Sequence, residues 1–255
     1  MNLRTRLVNS IKLLQRSRFH YYRMRMVEPP FWLSANGRTC RVAAGNELGA
    51  GSCYSEVAIE DCYRIFSYSK RAKPKVIVDI GANIGMFSKL CSMLFPEADI
   101  YAYEPNPSAL NWLRQNAAGT RIQVRPVAVA ESSAVAKLDT SCDSTIGRVV
   151  LEGDLSVDCV ASSEVGDGRE IDLLKMDCEG SEWSVLSDPS LLKRTREFCL
   201  EYHLFDGRTV EEMRALIAQS GHRIVSLGHT QEGGKFGVIR SVRFDSCELM
   251  QQREH

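Results

Sequence analysis

Two groups of residues in this 255-residue chain have types and spacing that could do chemistry. The first is Asp79-Ile80-Gly81-Ala82-Asn83-Ile84-Gly85, directly after the β-branched run Val76-Ile77-Val78. Gly81 permits a tight turn, and Gly85 lets backbone come close to a ligand. A helix behind the turn would offer unpaired N–H groups and a positive dipole end. Glu104 ends the next strand about twenty residues later, where an acidic side chain hydrogen-bonds ribose hydroxyls. The second group is Asp177 and Glu179 after one expected strand, with Glu201 and His203 ending another. In an open α/β sheet these four converge on the crevice outside the carboxyl ends of the strands.

The turn and Glu104 together point to a nucleoside cofactor. A pyrophosphate calls for G-x-G-x-x-G, and Asn83 stands where the second glycine would be. Asp79 would repel phosphates but suits a cationic amino acid moiety. S-adenosylmethionine therefore fits better than NAD, and an NAD-dependent dehydrogenase is the disfavoured reading. A hydroxyl acceptor is a weak nucleophile near neutral pH and is helped by a base within hydrogen-bond reach. Of the five histidines, His203 is the best placed to act as that base. Asp177 is the second candidate, as base or as partner to the cofactor's amino group. Each has a plainer alternative: strand-end hydrogen bonds for His203, and capping of a turn for Asp177. Glu179 and Glu182 read as acids of a turn and a first helical turn, which the helix dipole favours. Carboxylates could also hold Mg²⁺, but no Asp-Asp or Asp-Asn pair follows the fifth strand, so no metal is expected. Asp143-Ser144-Thr145 could contact an acceptor or form an ordinary polar loop. Trp112 and Trp183 are expected in the core. Cys178 has no adjacent base that would make it a nucleophile.

The elements that must position these groups follow from periodicity. Strands are expected at 76–78, 100–103, 122–129, 171–176, 198–202, 223–227 and near 238–243. Helices are expected at 56–68, 86–94, 107–116 and 210–220, with a short one after Glu182. Residues 134–160 read as irregular short strands and a loop. Alternation of strands and helices calls for a mostly parallel sheet covered on both faces. The last two strands, with no helix between them, imply an antiparallel edge.

Composition bounds the partners. An apolar share of 44% and a charged share of 25% exclude a disordered chain. Residues 1–27 hold seven basic residues and no acid, which leaves 25 bases against 32 acids elsewhere, a net −7. An acidic body is a poor match for a phosphate backbone, so no nucleic-acid partner is expected. Leu3, Leu7, Ile11 and Leu14 recur at helical spacing among those bases. That pattern fits a helix packed on the body or on a second subunit, or one lying on an anionic membrane surface. Nine scattered cysteines without CxxC spacing favour a reducing compartment. No apolar run approaches a membrane span or a signal core, and the expected location is cytoplasmic. The expected division is a basic helix and lead-in or cap segment over residues 1–70, then a catalytic domain over 71–255.

The segments Val78–Gly85 and Ile171-Asp172-Leu173-Leu174-Lys175-Met176-Asp177-Cys178-Glu179-Gly180-Ser181-Glu182 resemble the FkbM family of S-adenosylmethionine-dependent methyltransferases. Tyr103-Glu104-Pro105-Asn106 and Glu201-Tyr202-His203 belong to the same resemblance, which covers about residues 74–228. It implies a class I methyltransferase fold, Rossmann-like, with a seven-stranded mostly parallel sheet. It also implies methyl transfer to oxygen, commonly a hydroxyl of a sugar, glycolipid or natural product. Asp79, Gly81, Ala82, Asn83 and Gly85 would form the cofactor loop, with Glu104 on the ribose and Pro105 beside the adenine. Ala128 would match the adenine-side position, with Pro126 where many members carry Asn. A cofactor-binding module without catalysis, acting through association, is the alternative.

Overall fold

The structure, a computed structural model, describes residues 29–45, 48–143, 146–150, 155–179, 181–204, 207–229 and 235–244. The lead-in holds β1 (Phe31–Ala35), β2 (Arg38–Val42), α1 (Leu48–Tyr54), a π-helical turn (Ser55–Glu60) and α2 (Ile65–Ser69). There follow β3 (Val76–Ile80), α3 (Met86–Leu94), β4 (Asp99–Tyr103), α4 (Pro107–Ala117), β5 (Ile122–Arg125) and β6 (Ala128–Ala130). Next come β7 (Ala134–Asp143), β8 (Ile146–Val150), β9 (Leu155–Ala161), a 3-10 segment (Ser162–Gly168) and β10 (Ile171–Met176). The chain closes with α5 (Glu182–Ser187), α6 (Ser190–Lys193), β11 (Thr195–His203), α7 (Val210–Gln219), β12 (His222–His229) and β13 (Phe236–Arg243).

The main sheet has seven strands in the order β12-β13-β11-β10-β3-β4-β5. It is parallel from β11 through β5, while β13 runs antiparallel to both β11 and β12. The sheet is thus the mostly parallel one the sequence implies, with the antiparallel pair at one edge. Strand β3 is buried throughout, as a strand covered on both faces must be. Its side chains alternate: Ile77 joins the core formed with α3 and α4, while Val76, Val78 and Ile80 join the core under α5, α6 and α7. The first core also takes in Phe31, Leu33, Val57, Tyr63, Ile65 and Tyr68. The lead-in therefore packs on the α3–α4 face and shares its apolar interior with the sheet.

Capping sets the helix starts. Asn106 accepts from the Ser108 N–H with Pro107 at the first helical position of α4, and Thr209 and Glu212 form a capping box on α7. Three expectations need correction. The helix expected over 56–68 is broken, because Asp61 and Arg64 take left-handed backbone conformations between the π-turn and α2. The strand expected over 122–129 divides at Pro126, which has no N–H for the ladder, into β5 and β6. Residues expected to be irregular form β7, β8 and β9, which join β6 in a second sheet of order β6-β9-β7-β8. Residues 1–27 and the side chains of Asp143, Ser144 and Thr145 lie outside the described residues. Among the described residues, no helix is long and apolar enough to cross a membrane. The seven described cysteines are free thiols.

Candidate active site

The carboxyl ends of β3, β4 and β10 open onto one cavity of about 250 Å³, closed from above by α1, the π-turn and Tyr63. Gly81, Ala82, Asn83, Glu104, Pro105, Ala128, Asp177 and Glu179 line it, as the sequence leads one to expect. Asp79, Gly85 and His203 do not.

Each of those three has a different task. Asp79 is fully buried, accepts from the Ser88 hydroxyl at 2.6 Å and lies 3.3 Å from Lys175 Nζ. The cation it serves is therefore Lys175. Gly85 has φ +84°, and a Cβ there would stand 2.5 Å from Leu113 Cδ1. Its closeness is to helix α4. His203 is buried behind Glu179, with Nε2 at 3.5 Å from Glu179 Oε2 and Nδ1 at 3.1 Å from Glu182 Oε1. Burial opposes its charge, but the Glu182 hydrogen bond and the charges of Glu182, Glu179 and Asp177 outweigh that and push it up to about 9. An imidazolium at neutral pH has no lone pair with which to take a proton. That charge disfavours His203 as a base, and Asp177, the second candidate, lines the cavity.

Glu104 meets its expected place. The Asn83 N–H donates to Oε2 at 2.7 Å and the Asn106 N–H donates to Oε1 at 2.8 Å. Asn83 holds φ +52°, a conformation asparagine tolerates better than most residues. Each oxygen keeps a second lone pair for a ribose hydroxyl. Burial raises the Glu104 carboxyl to about 7 against the pull of these two N–H groups. Pro105, Val127, Ala128 and Val129 form an apolar wall beside it, suited to a purine ring. The lining also carries Glu56, Asp177 and Glu179, which suits a ligand bearing ammonium and sulfonium charges. These residues fit S-adenosylmethionine.

Sequence reasoning missed Lys175 as a working residue, together with Tyr63 and Glu56. Lys175 donates to the Gly81 carbonyl at 2.6 Å and lies 3.7 Å from Asp177 Oδ2, so it ties the turn to the end of β10. Burial disfavours its charge, but Asp79 and Asp177 more than restore it and raise its pKa. A lysine inside the apolar run Ile171–Met176 was the available signal. Tyr63 and Glu56 lie in a segment that reads as one ordinary helix, and nothing in its pattern marks them for the site. Asp177, Glu182 and His203 offer possible ligand atoms within 4.8 Å of one another. Cation binding there requires a neutral ring nitrogen, which the two flanking carboxylates oppose. The Cys178 thiol lines the cavity, but burial followed by the Glu182 charge holds it well above its usual range. Trp183 donates its indole N–H to the His203 carbonyl at 3.0 Å and packs against the core.

The profile of the methyltransferase FkbM domain matches residues 79–224, which run from the cofactor turn to β12. The chain belongs to the FkbM methyltransferase family. Its methyl donor is S-adenosylmethionine. The chain is 28% identical to the 31-O-demethyl-FK506 methyltransferase FkbM of Streptomyces tacrolimicus, over 75% of this chain and 88% of that one. It is 31% identical to the hexuronic acid methyltransferase AglP of Haloferax volcanii, over 44% of this chain and only 48% of that protein's length. Among solved structures, magnesium protoporphyrin IX methyltransferase from Synechocystis PCC 6803, with bound S-adenosylmethionine, shares the fold. Its TM-score is 0.52 at 10% identity, covering 93% of this chain and 97% of that one.

Proposed function

We propose that this methyltransferase transfers its methyl group to an oxygen, the hydroxyl of a sugar, glycolipid or related metabolite, in the cytoplasm. The observation that carries the reading is Asp177, whose carboxylate faces the same cavity as the cofactor turn and Glu104. When bound, S-adenosylmethionine supplies an electrophilic methyl group on a sulfonium. Glu104 would hold the ribose, and Pro105 with Ala128 would flank the adenine. Asp177 would accept the hydroxyl proton, while Lys175 at 3.7 Å keeps its carboxylate in place. Holding acceptor and base together in one cavity supplies much of the rate of such a displacement. The names of the two relatives, one acting on a hexuronic acid and one on an O-demethyl compound, point the same way.

The test is transfer of labelled methyl from S-adenosylmethionine to a panel of neutral and acidic sugars, glycolipids and hydroxylated metabolites. Label appearing on an ether oxygen, and lost with Asp177→Asn, supports the reading. Label on nitrogen or carbon sinks it. Binding of S-adenosylmethionine with no transfer to any fraction of a cell extract would favour a non-catalytic binding module.

A further inference from the structure

Tyr63 stands between two carboxyl groups. Its phenolic oxygen lies 3.2 Å from Asp177 Oδ2 and 3.3 Å from Glu201 Oε2. The side chain is only 3% exposed, set edge-on to Phe87 and 5.7 Å from the Lys175 ammonium. Its place in the chain is fixed by the break between the π-turn and α2, where Asp61 Oδ1 accepts from the Ile65 N–H at 2.6 Å. Tyr63 precedes the span matched by the family profile, which begins at residue 79.

Proton counting decides what this arrangement can be. A phenol has one hydrogen to donate and lone pairs with which to accept. If both carboxyls were ionised, they would have to share the single phenolic hydrogen inside a buried site, which leaves at least one of them poorly satisfied. Both contacts are full two-centre hydrogen bonds only when one carboxyl is protonated. Lys175 is 3.7 Å from Asp177 Oδ2 and keeps the negative charge there. Around Glu201 stand Asp177, Glu179 and Glu56, with His203 and Lys175 pulling the other way. Burial, followed by the Asp177 charge, pushes the Glu201 carboxyl up to about 8. The proton therefore resides on Glu201.

We propose that Tyr63 is a positioning residue of the methyl-transfer site, accepting a hydrogen bond from a neutral Glu201 and donating its own to Asp177. The chain of two hydrogen bonds fixes the Asp177 carboxylate as the ionised base at the cavity wall. This rests on the hydroxyl-acceptor reading above. In the step it serves, the acceptor proton passes to Asp177 as the acceptor oxygen bonds the methyl carbon. The methyl–sulfur bond breaks with its electron pair left on sulfur.

The test uses the full chain and infrared difference spectroscopy at pH 7, with Tyr63→Phe and Glu201→Gln. Tyr63→Phe keeps the ring against Phe87 and Lys175 and removes only the hydroxyl. The expected result is a carboxylic-acid carbonyl band in the native protein that Glu201→Gln abolishes and Tyr63→Phe moves to higher frequency. Tyr63→Phe should lower kcat by about tenfold or more and move the acid limb of its pH profile upward, with affinity for S-adenosylhomocysteine within about twofold of native. A native spectrum without a band sensitive to Glu201→Gln overturns the proposal, and so does a Tyr63→Phe spectrum and pH profile that match the native ones. Should Tyr63→Phe fail to fold, the Glu201→Gln spectrum decides alone, since that variant keeps Tyr63. The infrared result needs no acceptor, so its failure is separable from failure of the hydroxyl-acceptor reading.

Discussion

A Cβ on Gly81 would stand 1.7 Å from the carbonyl oxygen of Asp177. The cofactor turn and the end of β10 thus meet backbone to backbone, and the Asp177 N–H donates to the Ile80 carbonyl at 3.0 Å across the same seam. Gly81 also has φ +72°. Gly81→Ala should therefore destabilise the protein by about 3 kcal/mol or more and abolish binding of S-adenosylmethionine. Thermal unfolding and calorimetric titration read the two effects, and a stable variant that still binds the cofactor would refute the seam.

Lys175 and Asp79 form a buried ion pair, exposed by 5% and 0% respectively. Removing one partner leaves an uncompensated buried charge. Lys175→Met alone should cost about 3–5 kcal/mol, and adding Asp79→Asn should recover part of that loss. Denaturant unfolding of the single and double variants checks this. Purely additive losses would show that the two side chains do not act as a pair.

If Glu104 holds the ribose from its place in the cavity wall, cofactor affinity should depend on its charge. Its carboxyl titrates at about 7, and ribose hydroxyls bind best to the ionised form. Affinity for S-adenosylhomocysteine should be constant above that pH and fall by up to about tenfold per unit below it. Glu104→Gln should bind about 10–100-fold more weakly, the worth of a hydrogen bond to a charged group, and lose most of that pH dependence. Calorimetry between pH 5.5 and about 8.5 reads both arms.

Several buried groups, Glu104, Glu201 and His203 among them, make stability fall as pH rises. Glu104 and Glu201 bind their protons more tightly in the folded state, at about 7 and about 8 against an ordinary 4.5. Their contribution is complete near pH 4.5 and is lost as the medium passes through the folded values. His203, raised from 6.5 to about 9, contributes fully below 6.5 and loses that contribution by 9. The signs agree, so Tm should drop by about 5–10 °C between pH 6 and 9. His203→Gln should be less stable than the native chain at pH 6 and nearly equal to it above pH 9. A flat Tm profile would contradict the buried titrations.

The order of elements from Val76 to Met213 was largely legible, because buried parallel strands leave continuous β-branched runs and helices leave their own period. The place of Glu104 beside the turn was legible for the same reason, since it stands at a strand end a set distance from the turn and accepts from the Asn83 N–H. The surroundings of His203 were not legible, because Glu179 and Glu182 flank it and Glu182 is brought to it from another element. That Gly85 lies close to Leu113 was not legible, because a glycine's backbone signature does not say which neighbour comes close. The second sheet was missed because its strands pair with one another in the order β6-β9-β7-β8, a pairing that no local pattern states.

The sequence by itself determined the family, the cofactor and the side of the sheet on which the chemistry lies. Those depend on local spacing along the chain. Only the tertiary structure decided which groups touch: Lys175 between Asp79, Gly81 and Asp177, and Tyr63 between Asp177 and Glu201. Tyr63 and Glu201 are 138 residues apart, and no local period encodes a contact of that kind. Charge states followed the contacts, because burial and neighbouring charges set them. The turn at Asp79–Gly85 could be recognised from its residues, but the partner of Asp79 appeared only when β10 was laid beside β3.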